Sequence, residues 1–153
     1  DAAEAGLAAP VSVFLHGDFN LNNIVYDHTA QRIHYIDLHR SGQGDYAVDT
    51  AVFLASNFRL PVFEAHLRDR LRLVMRRFLE FARAFAAEQG DAAFEARLTF
   101  GVARALATSA RFETNRAFAQ ELFQRGVYLL ERQVALSGRP VEEAVFPDAV
   151  LVY

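Results

Sequence analysis

The chain has 153 residues, 52% of them apolar, and a formal net charge of −3. This length and composition suffice for one folded domain with its own core, which excludes a disordered chain. The acidic balance disfavours nucleic-acid binding, and the lack of cysteine excludes disulfides and thiolate metal sites.

The remaining bulk features concern location and domain organisation. No apolar run is long enough to span a membrane, so we expect no membrane partner. A cysteine-free chain suits a cytoplasmic protein. We therefore expect a single cytoplasmic domain over residues 1–153 that interacts with neither membranes nor nucleic acid.

The first part of the chain has the character of short β-strands. Residues 11–15 are apolar and partly β-branched, which is typical of a strand. Two further strand-like runs at 24–26 and 33–36 flank a polar turn and predict a β-hairpin. Residues 41–44 include two glycines and are interpreted as a flexible loop.

From residue 46 onwards the apolar residues follow helical spacing. The pattern predicts one helix over 46–57 and a long second helix from Pro61 to about Gln89. Asp91 and Asn115 are predicted to cap a third and a fourth helix. The fold class is thus mainly α with a small β-hairpin, in which a helical bundle follows the β elements. The second helix is expected to bury a stripe made of Phe63, Leu67, Leu71, Val74, Phe78, Phe81 and Phe85.

The most informative segment is 16–23, which reads His-Gly-Asp-Phe-Asn-Leu-Asn-Asn. Phosphoryl transfer needs a carboxylate at the acceptor hydroxyl, and it needs an amide and a second carboxylate that bind a metal ion. Asp18, Asn23 and Asp37 supply these three groups in that order along the chain. Their oxygens are ligands that Mg²⁺ favours, and the hairpin would hold Asn23 close to Asp37. His16 belongs to the same catalytic segment, where we expect it to brace the loop by hydrogen bonding rather than to act as a base.

Residues 15–51 resemble the aminoglycoside phosphotransferase/choline kinase family, the small-molecule branch of the protein-kinase-like fold. His16-Gly17-Asp18 and Asn23 match that family's catalytic loop, and Ile36-Asp37 matches its metal-binding aspartate. The run Gly-Asp-Tyr-Ala-Val-Asp-Thr-Ala at 44–51 looks like its Gly-Asp-Pro-x-x-Asp-Leu-Ala signature, with tyrosine in place of proline.

The resemblance implies a role for each matched residue. It implies that Asp18 is the catalytic base and that Asn23 and Asp37 contact Mg²⁺ and the nucleotide. It also implies that Asp45 and Asp49 support the active-site loops from behind. The activity implied is transfer of phosphate from ATP (or GTP), with Mg²⁺, to a hydroxyl of a small molecule of the aminoglycoside, amino alcohol or sugar type.

Two features bear on how much of such an enzyme is present. The chain has no lysine and no glycine-rich nucleotide loop, both of which an amino-terminal kinase lobe supplies. We therefore expect a C-terminal lobe without its nucleotide-binding lobe, inactive alone and prone to self-association through uncovered apolar surface. The alternative function is a non-catalytic, pseudokinase-like binding or regulatory module, which the intact set of site residues disfavours.

Overall fold

The computed structural model describes residues 7–62 and 64–152. The structure is 60% helical, with small antiparallel sheets, which confirms the predicted mainly α fold with a β-hairpin. No helix in the described ranges is both long enough and apolar enough to cross a membrane. In chain order the elements are β1 Val13–Leu15, β2 Ile24–Asp27, β3 Arg32–Tyr35, β4 Gly42–Gly44, α1 Tyr46–Phe58, α2 Ala65–Glu88, α3 Phe94–Ala110 and α4 Arg116–Ala135.

The predicted hairpin is formed by β2 and β3, which pair antiparallel with Ile24 opposite Tyr35. Its turn is closed by Asp27, whose Oδ1 accepts the backbone N–H groups of Thr29 and Ala30 at 2.8 and 2.9 Å. Such local side-chain bonds are the reason aspartate favours turns.

The prediction of a flexible loop at 41–44 was wrong. Most of this segment is β4, which pairs antiparallel with β1, placing Gly44 opposite Val13 and Gly42 opposite Leu15. A Cβ added at Gly44 would lie only 2.6 Å from the Cδ1 atom of Leu15. Glycine at this position therefore permits a close approach of two strands rather than flexibility.

The core lies where α1 packs against α3 and where α3 packs against α4. At the α3–α4 crossing, a Cβ on Gly126 would come within 3.0 Å of the Ala103 carbonyl oxygen, so the small residue allows close contact. Side chains that are fully buried in this core include Leu54, Phe58, Leu98, Leu106, Leu122 and Leu129.

Helix α2 differs from its prediction in start and in buried face. It begins at Ala65 rather than at Pro61, and Phe63 lies outside the described residues. Phe81, on the predicted core stripe, is 67% exposed. The buried face lies one position further along, and Phe85 of the predicted stripe packs against the core while only partly buried. Its members are Arg68, Met75, Leu79, Ala82 and Ala86.

The two predicted helix caps had different outcomes. Asn115 is the N-cap of α4, and its Oδ1 accepts the Phe118 N–H at 3.1 Å, as predicted. The N-cap of α3 is Ala93, not Asp91. The Asp91 carboxylate lies just before the helix, where it accepts hydrogen bonds from Arg97, from Tyr46 and from the backbone of Ala93.

Candidate active site

Asp18 lies in the loop that follows β1, with its side chain 28% exposed. Its Oδ1 accepts a hydrogen bond from Asn20 Nδ2 at 2.9 Å, and its Oδ2 lies 3.5 Å from Arg40 Nη1. Each carboxylate oxygen carries two lone pairs. The Asp18 carboxylate is therefore oriented by two neighbours and still able to accept a proton from a third group.

His16 connects the Asp18 loop to the segment that ends in Asp37. Its Nε2 lies 3.0 Å from the carbonyl oxygen of Ile36, and the Asp18 N–H points to its Nδ1 at 3.4 Å. These contacts define one tautomer, in which Nε2 carries the proton and donates while Nδ1 accepts. Because both ring nitrogens are engaged, the geometry suits bracing of the loop, and no ring atom is left to act as a base.

Asn23 is buried at the end of a short 3-10 turn, which is capped by the Asn20 Oδ1 accepting the Asn22 N–H at 2.9 Å. The Asn23 Nδ2 donates to the Asp18 carbonyl oxygen at 2.9 Å. This bond identifies the amide orientation, since only the nitrogen can face a carbonyl. The Oδ1 of Asn23 thus points elsewhere and accepts from no donor in the described part of the chain.

Asp37 lies one residue beyond the hairpin pair that holds Asn23. The Ile36 N–H donates to the Asn23 carbonyl oxygen at 3.0 Å, so the hairpin brings Asn23 and Asp37 next to each other along the two strands. The backbone of Asp37 is left-handed, with φ 61°, a conformation that aspartate tolerates better than most residues.

The Asp37 carboxylate is only partly used by the protein. Its Oδ1 lies 2.5 Å from His39 Nδ1, and its side chain is 52% exposed. Its Oδ2 has no hydrogen-bond partner within residues 7–62 and 64–152.

The free oxygens of Asn23 and Asp37 fit the chemistry of a magnesium site. Mg²⁺ prefers oxygen ligands and is commonly held by one or two protein groups, with waters and substrate phosphates completing its shell. The structure contains no cluster of three or more His, Cys, Asp or Glu side chains suited to a metal in its described residues. A cation here would therefore rely on the amide oxygen, the carboxylate and non-protein oxygens.

Asp49, in the first turn of α1, holds the loop from behind. Its Oδ2 accepts the backbone N–H of His16 at 2.7 Å, and its Oδ1 accepts that of Gly17 at 3.1 Å. Asp45 supports the loop only indirectly, because it binds α1 rather than the loop itself. Its Oδ1 caps the helix by accepting the Ala47 N–H at 2.9 Å. Both aspartates thus lie behind the loop, Asp49 in direct contact and Asp45 through the helix.

A network of charged side chains anchors the start of α1 to α3. Arg97 Nε donates to Asp45 Oδ2 at 2.7 Å, and Arg97 Nη1 donates to Asp91 Oδ1 at 2.9 Å. Tyr46 also donates its hydroxyl to Asp91. Burial, and then this bond to Asp91, raise the pKa of Tyr46 above its ordinary value.

The two buried ionic groups of the network keep their charges. Burial alone would raise the pKa of Asp91, but hydrogen bonds from Arg97 and Tyr46 outweigh it and leave the pKa below its ordinary value. Burial likewise opposes the charge of Arg97, yet bonds to Asp91 and Asp45 raise its pKa. Sequence analysis missed this network, since Arg97 and Asp91 approach Asp45 only after α1 packs on α3.

An open cavity of about 790 Å³ lies beside Asp18, between the loop, the end of α1 and the end of α3. Sequence analysis also missed its arginines. One signal was present, because Arg104, Thr108 and Arg111 follow the i, i+4, i+7 spacing of a single helix face. The arginines that line the cavity are Arg40, Arg59, Arg104 and Arg111.

The fold is mainly helical, and the loop after β1 places the Asp18 carboxylate beside an open cavity. The model of the phosphotransferase enzyme family known as APH matches residues 1–88, more than half of the chain, and the chain belongs to this family. No curated protein and no solved structure gives a significant match. The matched segment contains every predicted site residue, but it ends before α3, which contributes Arg104 to the cavity.

Proposed function

We propose that the protein is an ATP- and Mg²⁺-dependent phosphotransferase that phosphorylates a hydroxyl group of a small molecule. Membership of the phosphotransferase family supports the reaction class. The observation that carries the proposal is the set of unused oxygens around one loop. Asn23 Oδ1 and Asp37 Oδ2 lack partners in the described residues, and Asp18 borders an open cavity.

In this proposal Asp18 orients the attacking hydroxyl and accepts its proton as the new oxygen–phosphorus bond forms. The bond between the γ-phosphorus and the bridging oxygen breaks in the same transfer, and ADP leaves with that oxygen. Asn20 and Arg40 keep its carboxylate aimed at the cavity. Asn23 and Asp37 hold Mg²⁺, which when bound neutralises charge on the nucleotide phosphates. His16 and Asp49 are positioning residues that set the relative placement of these groups.

The test is a phosphorylation assay on the full-length natural protein with Mg²⁺ and either ATP or GTP. The acceptors are an aminoglycoside, amino alcohols, sugars and sugar acids, and the phosphorylated products are detected by mass spectrometry. Asp18→Asn is expected to lower kcat by about 10²–10⁴-fold, the usual contribution of a general base, while nucleotide binding is retained.

The matched control is Asp69→Asn, which removes an exposed carboxylate from α2 far along the chain from the loop. It should leave kcat unchanged. Near-normal turnover by Asp18→Asn would refute the assignment of Asp18. Nucleotide binding without transfer to any acceptor would instead favour the regulatory-module alternative.

A further inference from the structure

We infer that the small-molecule acceptor carries a carboxylate or phosphate group, which the arginine-lined cavity beside Asp18 binds. This inference rests on the proposed function and narrows its substrate class. It concerns the 790 Å³ cavity, whose walls come from the catalytic loop, the segment after Asp37, the end of α1 and the end of α3.

The residues that line the cavity carry a net positive charge, whereas the chain as a whole is negatively charged. The whole chain has a formal charge of −3, yet four arginine residues line this one cavity. Among the described lining residues Asp18 is the single acidic side chain. Grouping cations around a concave surface is unfavourable by itself and raises the local concentration of anions.

Most of the guanidinium hydrogen-bonding capacity in the cavity is unused. Within the described ranges, the side chains of Arg104 and Arg111 have no ion-pair or hydrogen-bond partner, and the Arg111 guanidinium lies 4.5 Å from the centre of the Phe112 ring. Arg59 donates from Nη1 to Ser109 Oγ at 3.1 Å, but its buried Nε has no partner in the same part of the chain. Arginine forks of this kind suit bidentate binding of carboxylate or phosphate.

The cavity is separate from the oxygens assigned to the metal. Neither Asn23 nor Asp37 is among its lining residues, although Asn22 and Asp18 are. An anionic acceptor bound in this cavity would therefore lie on the side of Asp18 away from the proposed metal site. The acceptor's hydroxyl group would then lie beside the Asp18 carboxylate. A cationic acceptor such as an aminoglycoside would meet repulsion from the arginines, so this class is disfavoured.

Binding is tested without turnover, by calorimetry at constant ionic strength on the full-length protein. The probes are inorganic phosphate and a matched set of hexoses, namely glucose, glucosamine, glucuronate and glucose 6-phosphate. We expect phosphate and the two anionic sugars to bind, and the anionic sugars to bind at least ~10-fold more tightly than glucose or glucosamine, the scale of hydrogen bonds to charged groups.

The variants Arg104→Gln and Arg111→Gln should each weaken anion binding by roughly 10-fold. Arg104→Lys keeps the positive charge, so it should bind the anions more tightly than Arg104→Gln and less tightly than the natural protein. The matched control is Arg70→Gln, an exposed arginine of α2 outside the cavity, and it should have no effect. Far-ultraviolet circular dichroism checks that each variant is folded.

Three results would each overturn the inference. The first is that no anion binds at millimolar concentration, and the second is that anionic and cationic sugars bind equally tightly. The third is that a non-hydrolysable ATP analogue with Mg²⁺ displaces the bound phosphate. The last would assign the arginines to the nucleotide. Phosphate transfer to a neutral acceptor without any anion preference would overturn this inference and leave the proposed function intact. Anion binding that depends on Arg104 and Arg111, without transfer to any acceptor, would support the anion site and refute the proposed function.

Discussion

Asp49 and His16 are joined by a hydrogen bond of 2.7 Å from the His16 backbone N–H to the Asp49 Oδ2, across 33 positions of sequence. The other oxygen of Asp49 accepts the Gly17 N–H at 3.1 Å. Two adjacent backbone donors of the loop after β1 are thus fixed by one carboxylate at the start of α1. The position of Asp18, the next residue, depends on this contact.

We predict that Asp49→Asn lowers kcat by roughly 100-fold, because small displacements of a reacting group have effects of this size. An amide has one acceptor oxygen, and its NH₂ group would face the second backbone donor, leaving that N–H unpaired. The measurements are steady-state kinetics and amide hydrogen exchange at Gly17. Asp69→Asn is the control, and unchanged exchange together with unchanged kcat would contradict the prediction.

Gly17 is predicted to tolerate no side chain. Its φ is +82°, and a Cβ would lie 2.1 Å from the Arg40 carbonyl oxygen. Gly17→Ala therefore combines left-handed strain of about 1–3 kcal/mol with displacement of the backbone near Asp37. The free energy of unfolding, measured by urea denaturation, should fall by more than the strain alone.

The control for Gly17→Ala is Gly138→Ala. Gly138 has nearly the same φ, +83°, but apart from its two chain neighbours no described residue has a heavy atom within 4 Å of its Cβ position. The difference between the two variants isolates the contact with Arg40. If both variants lost the same free energy of unfolding, the backbone at Arg40 would have moved away from the new Cβ without any energetic penalty.

Asp37→Asn is predicted to raise the apparent Kd for Mg²⁺-nucleotide by at least ~10-fold, since even changes to groups around metal ligands reach that size. Asparagine suits the left-handed backbone at this position, so the variant removes charge with little added strain. Asn23→Ala should have a similar effect, measured by nucleotide binding over a range of Mg²⁺ concentrations. Asp69→Asn, at an exposed carboxylate of α2 outside the cavity, is the control, and Mg²⁺-independent binding in the natural protein would contradict the assignment.

The buried network around Arg97 is predicted to contribute stability that depends on pH. The pKa of Asp91 is below its ordinary 3.8 in the folded protein, so the unfolded chain takes up a proton first as the pH falls. The contribution is therefore complete above about pH 5 and is lost as the pH falls through the folded pKa. Asp91→Asn should lower the free energy of unfolding at pH 7 by about 3–5 kcal/mol, the usual cost of breaking a buried ion pair.

Denaturant unfolding of both proteins between pH 7 and about pH 3 tests this prediction, and the difference between them should shrink below about pH 4. Asp69→Asn, which breaks an exposed pair with Arg72, should cost at most ~1 kcal/mol. A difference that stays constant over the whole pH range would mean that the charge of Asp91 is unimportant.

Features that depend on near neighbours in sequence were predictable. The hairpin follows from apolar runs around a turn that Asp27 closes, and the start of α4 follows from the Asn115 cap. The order of Asp18, Asn23 and Asp37 was readable for the same reason, since all three belong to one loop and one hairpin.

Only the tertiary structure decided how distant segments meet. The pairing of β4 with β1 depends on a close approach at Gly44, and the buried face of α2 depends on which side chains fit against its neighbours. Asp91 binds Arg97 and Tyr46, and the partner Tyr46 lies on α1, so that contact forms only when α1 packs against α3. The four arginines of the cavity come from separate segments. The sequence by itself determined the local elements and the candidate site residues, whereas packing decided which arginines line the cavity beside Asp18. The physical reason is that side-chain contacts between distant segments exist only once the helices are in place.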